Sequence, residues 1–142
     1  MALARVIEIP KRIEITPTVP DLPQAAAIDH LRAIAARVRS APRTDLFEAC
    51  AVLASDRTKA RDAGSEVLIR CLGQGLGHAP VFFRPGTPEL SFDEAWLAQA
   101  LRCATRGDRD SLTFLVYRRI APCARRNLGA LIADVARMTL QT

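Results

Sequence analysis

The feature that most constrains this chain is a change of hydrophobic period near Pro23. Before it, Ile7, Ile9, Ile13, Ile15 and Val19 occupy odd positions while Glu8, Arg12, Glu14, Thr16 and Thr18 occupy even ones. That two-residue alternation belongs to an extended segment with one dry face. Pro10, Pro17, Pro20 and Pro23 rule out helix there and argue against a central strand, because each removes a backbone donor. Residues 1–22 are therefore expected to form an extended arm. Its isoleucines have two places to rest, on the helices of the same chain or on a second copy, since edge strands readily recruit another chain. Ile7, Ile9, Ile13 and Ile15 are the candidate partner or dimer contacts.

From Pro23 onward the period becomes helical. Ile28, Leu31, Ile34, Ala35 and Val38 form one stripe, with Asp29, Arg32 and Arg39 off it, and this helix should end before Pro42. A second helix is predicted from a cap at Thr44 or Asp45 to about Ser55, with Leu46, Phe47, Cys50 and Leu53 inward. A third spans about 57–72 and is expected to stop at Gly73. Gly73, Gly75 and Gly77 then read as Gly-Gln-Gly-Leu-Gly. A phosphate-binding glycine loop follows a strand and opens a helix, whereas these glycines close one, so a C-cap and loop is the better reading. Val81, Phe82 and Phe83 form a strand-like run that could pair with the arm, and Arg84-Pro85-Gly86-Thr87 suits a type II turn.

Ser91-Phe92-Asp93-Glu94 is the clearest local signal, a capping box that starts a fourth helix. Phe92, Trp96, Leu97, Leu101 and Ala104 mark its apolar side, and Arg106-Gly107-Asp108 ends it. Asp108 or Asp110 caps a fifth, which Pro122 ends or kinks, and Leu128, Leu131, Ile132, Val135 and Met138 define the last. The expected fold is all-α: an arm over residues 1–22 and, over 23–142, a single compact bundle of about six helices. A chain of 142 residues is long enough for one such core.

Candidate chemistry is sparse. Cys50, Cys71, Cys103 and Cys123 are separated by 21, 32 and 20 residues, which is not zinc-ligand spacing, and neither His30 nor His78 accompanies a recognisable nucleophile motif. Cys71 and His78 are near in sequence, but a reactive thiolate needs an electropositive, partly exposed setting. Asp93 and Glu94 are accounted for by the helix dipole at a first turn. No cofactor or metal is expected. The opening residues lack a secretory pattern and no apolar run approaches the roughly 18 residues of a membrane span, so the expectation is a cytoplasmic protein with reduced thiols and no membrane contact.

Charge is distributed unevenly. Residues 1–100 carry twelve bases and twelve acids, while residues 101–142 carry eight bases and three acids, so the entire net +5 lies in the last third. Arg118, Arg119, Arg125 and Arg126 bracket Pro122 and are the candidate anion-binding residues. The latter two open a helix, where the dipole disfavours cations. A helix-turn-helix around residues 55–57 is opposed by Asp56, Asp62 and Glu66 and by the neutrality of that half of the chain. The expected role is a non-enzymatic protein-interaction or regulatory module, with homodimerisation through the arm as one form of it. The competing expectation is a basic helical protein that binds nucleic acid or another polyanion through the four arginines.

Overall fold

The computed structural model describes residues 22–40 and 57–140. The described residues form five α-helices and one 3-10 turn, with no β-strand: α1 (Leu22–Ser40), α2 (Arg57–Leu76), α3 (Phe92–Arg106), α4 (Arg109–Arg119), the turn Pro122–Ala124, and α5 (Arg125–Leu140). The all-helical expectation holds, with five helices described rather than six. The helix expected between Thr44 and Ser55 lies outside the described residues, as does the arm carrying Ile7, Ile9, Ile13 and Ile15.

The core forms where the helical stripes meet. Ile28, Leu31 and Ile34 of α1, Leu68 and Leu72 of α2, Leu97 and Leu101 of α3, and Leu128, Ile132 and Val135 of α5 are all buried in one cluster. Full burial of an aliphatic side chain of this size contributes roughly 1.5–3 kcal/mol, so these stripes supply the main driving force for the bundle. Helix α5 packs most extensively, against α2 on one side and α3 on the other. Helix α4 is peripheral, with Val116 its one buried residue, and Ile120 just beyond its end is buried too.

The caps follow the sequence. The Ser91 hydroxyl accepts from the Glu94 backbone N–H, and the Glu94 carboxylate accepts from the Ser91 N–H, completing the capping box. Gly107, at φ 71°, closes α3, and Asp108 caps α4 by accepting from the Ser111 N–H. Thr87 N–H donates to the Arg84 carbonyl at 3.1 Å and Gly86 has φ 84°, as a type II turn requires.

Three expectations are corrected. Helix α2 does not stop at Gly73 but runs to Leu76, and the glycine with positive φ that ends it is Gly77, at 78°. Gly75 lies inside the helix because of close packing: a Cβ there would run into the Leu128 side chain and come within 3.2 Å of Ile120. Val81–Phe83 is not a strand, because the Val81 and Phe83 amides donate to the carboxylates of Asp93 and Glu94 rather than to another backbone. Arg32, placed off the apolar stripe of α1 by the sequence, is nevertheless buried and only 2% exposed.

Gly75 and Gly64 separate two effects of a methyl group. Alanine gains about 1 kcal/mol of helix propensity over glycine, while overpacking a filled core costs about 1–3 kcal/mol. At Gly75 the obstruction is walled by buried Leu128 and Ile120. At Gly64 it is the free end of the half-buried Met138 side chain, which can move aside. Thermal unfolding should show Gly75→Ala melting a few degrees lower than the parent, and Gly64→Ala melting at the same temperature or higher. A Gly75→Ala protein at least as stable as the parent would refute the close approach.

Candidate functional site

The first polar cluster of note is buried. Arg32 and Glu94, 62 residues apart, form a two-pronged ion pair: Nε donates to Oε1 at 2.8 Å and Nη2 to Oε2 at 2.9 Å. The other Arg32 donors reach the Asp29 carboxylate at 3.0 Å and the carbonyls of Thr87 and Glu89 at 2.8 Å each. All five guanidinium N–H groups therefore have acceptors. Glu94 also accepts from the amides of Phe83 and Ser91, so its four lone-pair sites are filled as well. Such a saturated pair has no spare capacity for substrate or proton transfer. Its role is to fasten the segment from Val81 to Ser91 onto α1 and α3.

Asp93 extends the cluster. Its carboxylate accepts from the Val81 amide at 2.8 Å and from Arg119 Nη2 at 2.6 Å. Burial would raise the pKa of Asp93, but the Val81 amide and Arg119 outweigh it and hold the carboxyl below the usual value. Glu94 behaves alike: burial pushes it up, and the bonds from Arg32, Ser91 and Phe83 bring it below the ordinary glutamate range. The Glu94 hydrogen bond in turn raises Arg32 further. Asp93 and Glu94 thus remain charged and structural.

The remaining nucleophile and base candidates are scattered. His30 lies 3.3 Å from Asp62, and burial together with Arg61 keeps its pKa below the usual value despite that carboxylate. His78 is exposed beside the Ala79 carbonyl, while Cys71 packs against the core, so the two are not joined by a hydrogen bond. Burial and Asp108 push the Cys103 thiol up, away from the reactive form. Among the described residues, no group of three or more His, Cys, Asp or Glu could hold a metal ion, and no helix is long and apolar enough to cross a membrane.

The four candidate arginines separate. Arg119 turns toward α3, paired to Asp93 and lying over the rings of Phe92 at 4.8 Å and Trp96 at 5.4 Å. Arg118 lies over Phe114 at 5.5 Å. Arg125 and Arg126 stay together and line an open groove of about 700 Å³ between α4 and α5. Arg125 stacks 4.2 Å from the Tyr117 ring centre while its Nε donates to the Ile120 carbonyl at 3.0 Å, so its guanidinium is held in place.

A third arginine, Arg109, lines the same groove, and the sequence reading did not single it out. The signal was present in the spacing. From α4 the lining positions are 109, 112, 113, 116 and 117, and from the turn and α5 they are 122, 125, 126, 129, 130 and 133. Both sets repeat at three and four residues, so each helix presents one continuous face to the groove. The floor is apolar or small, with Leu112, Val116, Gly129 and Ala130, and no carboxylate lines it. Neither Arg109 nor Arg126 forms an ion pair among the described residues. What this arrangement can do chemically is accept an elongated body with an apolar underside and negative edges.

No protein-family model matches this chain, and neither the curated proteins nor the solved structures yield a match.

The depressed carboxyls fix the sign of the acid response. A carboxyl whose pKa is lower in the folded state stabilises the fold above its unfolded value, near 4.3 for glutamate, and that contribution is lost as pH falls through the folded value. Urea unfolding should therefore give a stability that begins to fall below about pH 6.5 through His30, whose lowered pKa acts with the same sign, and falls further below about pH 5 through the carboxyls. Glu94→Gln, which strands the buried Arg32 charge, should cost about 3–5 kcal/mol at neutral pH and flatten the acid decline. An unchanged acid limb in that variant would remove Glu94 from its cause.

Proposed function

We propose that the protein is a non-enzymatic protein-interaction module and that the α4–α5 groove is its docking face. The observation that carries this reading is the pair of helix faces at helical spacing, lying open along a shared apolar floor. Soluble domains normally cover such a surface with another element of their own chain or with a partner. Tyr117, 58% exposed at its edge, is the kind of residue enriched where one protein anchors on another. The groove offers no partnered base and nucleophile of the sort a catalytic reading would require.

The competing polyanion reading draws on Arg125 and Arg126 but receives less support. Arg119 is neutralised by Asp93 and Arg118 is stacked away from the groove. The isoleucine arm, which would carry homodimerisation, lies outside the described residues.

Ala130 is exposed on the groove floor and away from the core, so Ala130→Trp fills the groove without disturbing the bundle. Proteins retained from a lysate of the native cells by the parent and absent with Ala130→Trp should be identified, purified and titrated by calorimetry. The expected result is a direct complex weakened at least about tenfold by the tryptophan, with the melting temperature unchanged. Identical retained sets for the two proteins would overturn the assignment of the groove.

A further inference from the structure

Resting on the reading that the groove docks a protein, we infer that its occupant is an acidic amphipathic helix of the partner, apolar underneath and carboxylate-bearing along its edges. Shape comes first. Residues 109–117 and 122–133 extend about 12 and 16 Å at 1.5 Å per residue, which is two to three turns of helix. Two helices flanking a trough of that length present the ridges and grooves into which a third helix packs, at axial separations of about 8–10 Å. Gly129 and Ala130 keep the floor low, and a Cβ added at Gly129 would meet nothing within 4 Å, so there is open space above it.

Charge decides the rest. Arg109, Arg125 and Arg126 are the ionisable residues among those lining the groove apart from Tyr117, and no carboxylate answers them there. Arg125 is already oriented by the Ile120 carbonyl and the Tyr117 ring, so a carboxylate meets a guanidinium that need not be reordered. Arg126 lies in the first turn of α5, where the helix dipole disfavours a cation and an incoming carboxylate relieves it. The partner's apolar positions would cover Leu112, Ala130 and Ala133.

Nucleic acid fits this surface less well. Phosphate recognition needs a dense basic track, and single strands need exposed rings on which bases stack. Here apolar floor separates three guanidiniums, and the face of the one lining ring, Tyr117, is taken by Arg125.

The test uses the full chain and defined probes: a fluorescent helical peptide of about 15 residues with leucines at helical spacing flanked by glutamates, its glutamine counterpart, and labelled single- and double-stranded DNA. Fluorescence anisotropy should show the glutamate peptide binding, with affinity falling as salt rises and at least about tenfold weaker for the glutamine peptide. The double variant Arg109→Glu/Arg126→Glu should lose at least about tenfold in affinity for the glutamate peptide, while Arg84→Glu, on the exposed 84–87 turn, should leave it unchanged. Equal affinity for the two peptides, an unaffected double variant, or DNA binding more tightly than the glutamate peptide would each overturn the inference. Absence of peptide binding would also overturn it, and the Ala130→Trp experiment then tells the two failures apart. Partner loss with the tryptophan keeps the docking groove and discards only the acidic helix, whereas no loss discards both.

Discussion

The fold turns on one ion pair, Arg32 with Glu94, placed where water does not reach. Removing two such charges from water costs several kcal/mol each, and their attraction repays that only when the remaining donors and acceptors are also satisfied. Here every N–H of Arg32 and every lone pair of Glu94 is engaged. The consequence reaches beyond stability of the pair. The segment from Val81 to Glu89 forms no strand, and those of its amides and carbonyls that turn toward the bundle would otherwise be left unpaired. Arg32 collects the carbonyls of Thr87 and Glu89, while Asp93 and Glu94 collect the amides of Val81 and Phe83. An irregular segment is thereby held against α1 and α3 by side chains acting as a substitute for a sheet edge.

How much of this was legible follows from the range of each signal. The capping box at Ser91 and Glu94 was readable because both partners lie within four residues, and the Asp108 cap for the same reason. The second role of Glu94 was not, because its partner is 62 residues away and Arg32 lies off the apolar stripe of α1. Val81–Phe83 resembled a strand because apolar runs and extended backbone go together. What composition cannot tell is whether the amides of such a run bond to a backbone or to carboxylates. The three glycines after Leu72 posed a similar ambiguity. Gly75 is there for the approach of Leu128, a long-range reason, and Gly77 for its left-handed backbone, a local one.

The arginines teach a different lesson. Proximity in sequence around Pro122 suggested one cluster of four, but adjacent residues on a helix differ by about 100° in direction. Arg118 and Arg119 therefore leave the face that Tyr117 occupies, one toward Phe114 and the other toward Asp93. Arg109, eight residues before Tyr117, returns to that same face. The charge asymmetry of the last third was thus a correct clue to where an excess of cations lies, and helical phase, rather than distance along the chain, selects which of them share a surface.

The two walls of the groove are held by unlike sets of contacts. Helix α5 is fixed by Leu128, Ile132 and Val135 in the core, and its groove face is the reverse of a face that cannot shift without opening the bundle. Helix α4 buries Val116 and rests Leu112 and Leu115 partly on the core, and polar ties add to those contacts. The Trp96 Nε1–H donates to the Leu115 carbonyl, Arg119 pairs with Asp93, and Arg125 reaches back to the Ile120 carbonyl. Two of those three ties run to α3, the helix whose start is anchored by Glu94. The α4 wall of the groove is therefore tied through α3 to the same buried cluster that organises the 81–91 segment, although neither Arg32 nor Glu94 lines the groove. A hydrophobic core supplies the rigid wall, and a hydrogen-bonded frame helps to hold the second.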